Sequence, residues 1–187
     1  MDAKTYLEGH WMKNEVWTHL SYSIHQERLK KCAEAVSGGK AFVDIGCGCG
    51  HSTAIMRGFC PGDWTGVDFG ESAIVEARKL FPDIRFRYFP IPEDIPLGAY
   101  DGVVCSEVIE HVEDPVAFVR VLLEITAPGG TLVLTTPNRP VNDPGHLRVF
   151  SRETLADLFL GDNADLGASG NIESIGRFFY VIARKEA

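Results

Sequence analysis

The sequence predicts an α/β domain with a doubly wound, mostly parallel sheet. Short apolar runs, typical of buried parallel strands, alternate along the chain with amphipathic segments typical of helices. The first run, at 41–46, leads into Gly46, Gly48 and Gly50, and alternating glycines indicate a backbone that turns tightly where a ligand approaches closely. The 187 residues suffice for one such domain, over 1–187, with a substantial core.

The order of elements follows from the apolar runs and from the residues that begin and end helices. A first helix, over about 21–37, is ended by Gly38 and Gly39. Strands are predicted at 41–46, 63–68, 84–89, 101–106, 131–136, 170–175 and 178–183, the last two as an antiparallel hairpin. Later helices are predicted at 51–58, from a cap at Ser72 to Pro82, from a cap at Asp114 to Pro128-Gly129-Gly130, and from a cap at Ser151 to Leu160.

Composition and charge argue against several classes of protein. The net charge of −8 disfavours a large nucleic-acid footprint. No apolar run approaches membrane-spanning length and 1–4 lacks the apolar core of a signal peptide, so we expect a cytoplasmic protein without membrane contact. The five cysteines lie mostly in apolar segments, which favours buried, reduced thiols, and Cys47 and Cys49 are too close for the usual C-x-x-C metal or redox spacing.

Two acidic residues beside the glycines indicate the ligand. Asp44 lies within the first apolar run, where an unpaired carboxylate is costly, so we expect it at the carboxyl end of the strand, facing an ammonium group. Asp68 ends the next run, 18 residues after Gly50, close to the spacing at which a carboxylate binds ribose hydroxyls. The spacing G-x-G-x-G is not the dinucleotide fingerprint, and no Lys-Ser/Thr pair follows to bind phosphate. An ammonium group, a ribose and no phosphate describe S-adenosylmethionine (SAM).

Four motifs in register make the chain resemble the class I SAM-dependent methyltransferases. They are D-I-G-C-G-C-G at 44–50, G-V-D-F at 66–69, Y-D-G-V-V-C-S at 100–106 and P-G-G-T-L at 128–132. The resemblance, close over 38–136, implies a Rossmann-like seven-stranded sheet closed by a C-terminal antiparallel hairpin. The SAM-binding residues that it implies are Asp44, Gly46, Cys47, Gly48, Asp68, Phe69, Glu93 and Ser106. Phe69 is expected against the adenine and Ser106 near the methionine part.

A second group of polar residues follows the fourth strand. Glu107, Glu110 and His111 form E-x-x-E-H, and residues three apart share a face if the segment turns helically. Two carboxylates and an imidazole suit Mg²⁺ or Mn²⁺. With His146 as a fourth ligand, this set resembles that of the small-RNA 3′-terminal 2′-O-methyltransferases, which hold a divalent ion with two Glu and two His. The ubiquinone-pathway O-methyltransferases share the E-x-x-E-H element.

Metal-free methyltransferases of small molecules also carry this motif, so two interpretations of its chemistry stay open. In the first, Glu107, Glu110, His111 and His146 bind a metal that lowers the pKa of a substrate hydroxyl. In the second, His111 or His146 takes the hydroxyl proton directly. We predict an O-methyltransferase acting on a small hydroxylated molecule. The alternatives are an RNA 3′-terminal 2′-O-methyltransferase and a SAM-binding protein that has lost catalysis and works through partners.

The N-terminal arm and four basic residues have weaker expectations. The arm and helix at 1–37 are expected to cover the substrate site. His25 and Arg28 lie one helical turn apart, and we expect both to be solvated, with binding of an anionic substrate as the alternative. Arg139 and Arg148 flank the loop after the fifth strand and are expected on its solvated face, with carboxylate or phosphate binding as the alternative. The sequence leaves the oligomeric state open.

Overall fold

The computed structural model describes residues 20–89, 98–160 and 168–186. Its strands are β1 (Ala41–Ile45), β2 (Asp63–Asp68), β3 (Arg85–Tyr88), β4 (Tyr100–Ser106), β5 (Thr126–Pro137), β6 (Ala168–Ile175) and β7 (Phe178–Lys185). Its helices are α1 (Ser23–Ala35), α2 (His51–Phe59), α3 (Glu71–Leu80), α4 (Pro115–Ile125) and α5 (Arg152–Leu160), with a 3₁₀ turn at Ile109–His111. Every strand and helix predicted within these ranges is present.

The strands form one sheet in the order β3-β2-β1-β4-β5-β7-β6. The first five strands pair in parallel, whereas β7 runs antiparallel to both β5 and β6. The winding of the chain reverses between β1 and β4, and such a reversal opens a crevice at the carboxyl ends of the two strands. The predicted doubly wound sheet with a C-terminal antiparallel hairpin is confirmed.

Helices cover both faces of the sheet, because successive side chains of each buried strand point to opposite sides. Phe42, Val104 and Val133 face the cluster that contains α1 and α2. Val43 and Val103 face the cluster that contains α4 and α5. All these side chains are buried, which explains why the central strands are continuous apolar runs in the sequence.

Helix α1 is fixed against the C-terminal hairpin. The hydroxyl group of Tyr180 in β7 donates a hydrogen bond to the Lys31 carbonyl (2.8 Å). Gly176 lies in the β6–β7 turn, and a Cβ atom on it would come within 2.6 Å of Cδ1 of Ile24. The close approach of this turn to α1 therefore depends on glycine, and the two elements together form one wall of a cavity described below.

Two of the three predicted helix caps are confirmed. Asp114 accepts a hydrogen bond from the Ala117 N–H (2.9 Å), and Ser151 accepts one from the Thr154 N–H (3.2 Å). The prediction for Ser72 is wrong, because α3 begins at Glu71 with Gly70 in the capping position. The Asp68 carboxylate accepts the Gly70 N–H (2.8 Å), which fixes the turn before Ser72 is reached.

The predicted end of α4 is also wrong. Pro128-Gly129-Gly130 lies inside β5, and α4 ends at Ile125. Side chains rather than a glycine satisfy the last carbonyls: the Thr126 hydroxyl donates to the Leu122 carbonyl (2.7 Å), and Lys185 Nζ donates to the Leu123 carbonyl (3.0 Å). The helix therefore stops without the glycine signal that sequence reasoning relies on.

Several smaller expectations have plain outcomes. All five cysteines are free and buried, as predicted. Within the described part of the chain, no helix has both the length and the apolar character needed to cross a bilayer. Most of the predicted N-terminal arm (1–19) and the proline-rich loop that holds Glu93 (90–97) lie outside the described residues.

Candidate active site

The glycine loop closes the carboxyl end of β1. Gly46, Gly48 and Gly50 adopt positive φ values of 78°, 52° and 86°, a region that favours glycine. A Cβ atom on Gly46 would lie 2.2 Å from Cγ2 of Val108, so the loop also packs too closely for a side chain there. The Gly46 N–H donates to the Val67 carbonyl (2.8 Å), which ties the loop to β2.

Asp68 lies against this loop at the end of β2. Its carboxylate accepts one hydrogen bond from the Gly48 N–H and one from the Gly70 N–H, both of 2.8 Å. Burial raises the pKa of Asp68, while the backbone donors oppose that rise. The structure thus brings the predicted ribose-binding acid next to the glycine loop. Cys47 is buried in the same loop.

Asp44, on β1 just before the glycine loop, is hydrogen-bonded to the helix that follows the loop. Its side chain is 1% exposed, and Oδ2 accepts hydrogen bonds from the hydroxyl groups of Ser52 (2.9 Å) and Thr53 (2.6 Å) at the start of α2. Burial raises the pKa of Asp44 from 3.8 to about 6, against the effect of these two donors. The carboxylate therefore joins β1 to α2, and its predicted contact with an ammonium group stays a prediction.

The remaining predicted SAM contacts are arranged around the same crevice. Phe69 is half-buried and packs edge-on against Phe118, with ring centroids 6.4 Å apart. Ser106 Oγ, at the end of β4, lies 2.8 Å from Thr135 Oγ1 on β5. The adenine and methionine roles of these residues stay predictions, and Glu93 lies outside the described residues.

A cavity of about 930 Å³ opens beside the end of β4. Its lining includes Glu107, Glu110, His111 and His146, which are the residues predicted as metal ligands or proton acceptors. All four are buried or half-buried, and we call them the floor of the cavity. Residues of α1, of the segment after β5 and of the β6–β7 turn form its walls. The cavity is therefore the candidate site for a methyl acceptor.

Glu107 is engaged on the α1 side of the cavity. Its Oε1 accepts a hydrogen bond from the Thr135 hydroxyl (2.9 Å) and lies 3.1 Å from Nη1 of Arg28. Glu107 has φ 59°, an uncommon value for a residue with a side chain. Burial raises the pKa of Glu107, and the Arg28 charge opposes that rise.

Arg28 is not solvated, so that prediction is wrong. The residue is 5% exposed, and its guanidinium carbon lies 4.8 Å from the centre of the Phe178 ring. The physical reason is the Glu107 carboxylate, since a charge held at the buried end of a strand requires a partner. Spacing along α1 gave no sign of that partner.

Glu110 points to the other side of the cavity. It is 1% exposed, and its Oε2 accepts a hydrogen bond from the Thr136 hydroxyl (3.1 Å). Its Oε1 has no hydrogen-bond partner among the described residues. Burial raises the pKa of Glu110 well above its usual value, and the nearby Glu107 carboxylate raises it further. An orphaned, buried carboxylate oxygen marks a place for a proton or a cation.

The two histidines complete a compact cluster with Glu110. Nδ1 of His111 donates to the Gly145 carbonyl (2.8 Å), so Nε2 keeps its lone pair in the neutral ring. The His111 and His146 rings meet edge to face, with centroids 4.7 Å apart. One ligand atom from each of Glu110, His111 and His146 lies within 4.8 Å of the others. Burial lowers the pKa of His146, while nearby Asp143 raises it.

The loop after β5 is what brings His146 to the cluster. The Leu147 N–H donates to the Glu110 carbonyl (2.9 Å), and Arg148 Nη2 donates to the Glu113 carbonyl (2.9 Å). Three of the four predicted ligands are thus brought together, whereas Glu107 turns to Arg28.

Sequence reasoning missed Arg28 and the two threonines at the end of β5. Thr135 and Thr136 hold Glu107 and Glu110 respectively. The sequence did carry a signal for the threonines. Thr135 and Thr136 are consecutive polar residues at the end of the apolar strand β5, and the neighbouring strand β4 ends just before E-x-x-E-H.

Known proteins are similar to the chain in sequence and in fold. The ubiquinone biosynthesis O-methyltransferase of Psychrobacter arcticus is 34% identical over 143 residues, which cover 71% of this chain and 53% of that protein. The chain therefore spans about half the length of the curated relatives it matches.

Two solved structures show the same fold. The N-methyltransferase NodS from Bradyrhizobium japonicum, in complex with S-adenosyl-L-homocysteine (SAH), matches with a TM-score of 0.78 at 20% identity over all of both chains. The methyltransferase domain of bacterial CtHen1 matches with a TM-score of 0.73 at 21% identity over 87% of this chain and all of that one.

The family assignment rests on a match that covers most of the chain. Residues 16–166 match the methyltransferase domain family. The strand order, the glycine loop and Asp68 agree with that match. The chain therefore belongs to the class I SAM-dependent methyltransferases.

Proposed function

We propose that this protein transfers the methyl group of SAM to a hydroxyl oxygen of a small molecule bound in the 930 Å³ cavity. The observation that carries the proposal is the cluster of Glu110, His111 and His146 on the cavity floor, next to the end of β4. The relatives at 33–36% identity that are named ubiquinone biosynthesis O-methyltransferases support oxygen as the accepting atom.

The donor side has the chemistry that SAM requires. When bound, SAM supplies an activated methyl group on a sulfonium, which is already a good leaving group. The carboxylate of Asp68 is oriented by two backbone N–H groups and suits a pair of ribose hydroxyls. Gly46 and Gly48 adopt the left-handed backbone that lets the loop turn tightly beside Asp68.

On the acceptor side, the chain's own residues orient a hydroxyl group and take its proton. His111 donates through Nδ1 to the Gly145 carbonyl, so Nε2 is the ring nitrogen that carries the lone pair in the neutral form, and burial favours the neutral form of His146. Either imidazole is suited to receive a proton near neutral pH. Apart from proton removal, much of the rate acceleration comes from holding the acceptor oxygen in line with the methyl group.

The same cluster fits a divalent cation through three protein ligands. Glu110 Oε1, which has no hydrogen-bond partner among the described residues, would supply the oxygen ligand. The hydrogen bond from His111 Nδ1 to the Gly145 carbonyl fixes the orientation of that ring, with Nε2 as the nitrogen that would bind the metal. Glu107 is taken by Arg28 and Thr135, so three ligands rather than four form our proposed set. A bound Mg²⁺ or Mn²⁺ would lower the pKa of the acceptor hydroxyl.

A calorimetric titration tests the metal directly. Mg²⁺ and Mn²⁺ are added to SAH-saturated wild type, to Glu110→Gln and to Glu113→Gln as an exposed control. We expect saturable binding in wild type and Glu113→Gln and its loss in Glu110→Gln. Binding that persists in Glu110→Gln would show that the ion sits elsewhere, and an absence of binding in wild type would leave direct proton transfer to His111 or His146.

Methyl transfer itself is measured with radiolabelled SAM and a panel of catechols and other hydroxylated small molecules. We expect transfer to at least one of them, and a loss on the order of a hundredfold in His146→Asn. Tight SAH binding without turnover on the whole panel would favour the non-catalytic alternative. Turnover only on an RNA with a free terminal ribose would favour the 2′-O-methyltransferase alternative.

A further inference from the structure

Two exposed arginines, called the rim below, line the acceptor cavity. Arg139 follows β5 and Arg177 lies in the β6–β7 turn, and both line the cavity. The backbones of the two turns are joined, since the Asn138 N–H donates to the Arg177 carbonyl (3.0 Å) and Asn138 Nδ2 donates to the Gly176 carbonyl (3.3 Å). The two arginines therefore belong to one fixed structure and not to two independent loops.

Neither rim arginine has an ion-pair partner within the part of the chain that the structure describes. Among the other exposed arginines of the described residues, Arg57 pairs with Asp83 and Arg85 with Asp63, whereas Arg87 and Arg184 have no ion-pair partner there. Arg139 and Arg177 differ from Arg87 and Arg184 in their position, because both line the cavity of the candidate site in a chain whose net charge is −8. Such an arrangement attracts and orients anions.

The residues that line the cavity differ in burial and in chemistry. Glu110 is buried and His111 and His146 are half-buried, whereas Arg139 and Arg177 are exposed. Apolar side chains such as Ile24 and Phe178 also line the cavity. A ligand that satisfies all three sets of residues has a hydroxyl group at its buried end, an apolar body and an anionic group at its exposed end.

We propose that the methyl acceptor is a hydroxylated organic acid whose carboxylate or phosphate group is bound by Arg139 and Arg177. This inference rests on the proposed function, because it assigns the hydroxyl end to the cluster on the floor. Guanidinium groups bind carboxylate and phosphate oxygens with paired N–H donors, and two of them from joined turns fix both the position and the orientation of the anion. The rim therefore sets acceptor specificity, while the floor handles the reacting oxygen.

The expected effect is a difference between an acid and its neutral ester. A hydrogen-bonded contact to a charged group at an exposed rim corresponds to roughly tenfold in affinity for each arginine. The probes are protocatechuate and dihydrocaffeate, whose carboxylates sit at different distances from the catechol, each compared with its methyl ester. The proteins are wild type, the double variant Arg139→Gln/Arg177→Gln, and Arg184→Gln as a control that removes one exposed arginine at the opposite end of β7.

Two readouts separate this inference from the proposed function. Calorimetry on SAH-saturated protein measures binding of each acid and each ester, and methyl-transfer assays give KM and kcat. We expect wild type and Arg184→Gln to prefer at least one acid over its ester by tenfold or more in affinity and KM. In the double variant, we expect that acid to bind no better than its ester.

The inference is overturned if neither acid is preferred in wild type, or if the preference survives in the double variant. It is also overturned if a single-stranded RNA binds tightly through the same two arginines while the acids do not, since the rim then belongs to a phosphate backbone. Selective acid binding without methyl transfer supports the anion subsite and refutes these catechols as methyl acceptors. Equal melting temperatures of the variants show that the changes are not due to unfolding.

Discussion

Replacing Gly46 by alanine should destabilise the protein by about 2–5 kcal/mol. The left-handed backbone at φ 78° costs a residue with a side chain about 1–2 kcal/mol. The new Cβ atom would also lie 2.2 Å from Cγ2 of Val108, and overpacking of this kind costs a further 1–3 kcal/mol, roughly. The free energy of unfolding is measured by urea denaturation of the SAM-free protein, with an unchanged m-value as the condition for comparing midpoints.

Gly129→Ala is the matched control, because Gly129 has φ 75° but nothing within 4 Å of the position of a Cβ atom. It should therefore carry the backbone cost alone, about 1–2 kcal/mol. A second comparison uses Val108→Ala, in whose background the added cost of Gly46→Ala should fall to the Gly129→Ala value. The reasoning is refuted if Gly46→Ala costs no more than Gly129→Ala, or if Val108→Ala gives no relief.

Three further predictions concern the buried charges. Arg28→Met leaves the Glu107 carboxylate without its counter-ion and should lower the free energy of unfolding, measured by urea denaturation, by about 3 kcal/mol. Adding Glu107→Gln should recover part of that loss, and equal stability of the single and double variants would contradict this. The pKa of Asp44 is raised from 3.8 to about 6 in the folded protein. The contribution of this group to the free energy of unfolding is therefore fully present below about pH 4 and is lost as the pH rises through 6. About 1.5 kcal/mol of that loss falls between roughly pH 5 and 7.5, and Asp44→Asn should abolish this part of the pH dependence, which urea midpoints at the two pH values will test. Asp68→Asn should weaken SAH binding roughly tenfold or more in calorimetry. The reason is that the single oxygen of an amide cannot accept from both backbone N–H groups and also bind a ribose as a carboxylate does. Unchanged SAH affinity would show that Asp68 does not contact the ligand.

The sheet was predictable because its central strands carry their own signal. Strands β1 and β4 are buried on both faces, so their apolar runs are continuous and their ends fall within a residue of prediction. The starts of α4 and α5 were predictable because the cap, Asp114 or Ser151, is a side chain that acts on its own helix. The start of α2 at His51 was predictable from the glycine loop before it. The start of α3 was missed because a carboxylate from another element, Asp68, fixes the turn at Gly70.

The candidate site divides in the same way. Asp68 beside the glycine loop was predictable because strand, loop and next strand follow one another at short spacing in the chain. The side-chain partners of Glu107 could not be predicted, since the spacing of the motif suggested a helical face shared with Glu110. The left-handed backbone at Glu107 turns the two side chains apart, and the 3₁₀ turn begins only at Ile109. The partner that Glu107 finds instead, Arg28, lies on a helix remote in sequence.

The contact between α1 and β7 has a consequence for how the molecule assembles during synthesis. Strand β7 is the last described strand to be made, yet it lies between β5 and β6, and its Tyr180 and Phe178 hold α1. A nascent chain that ends before β7 already contains the glycine loop and the five parallel strands, but it lacks the strand against which α1 closes the cavity. The glycine loop and the five parallel strands are thus synthesised before the strand that holds α1 against the cavity.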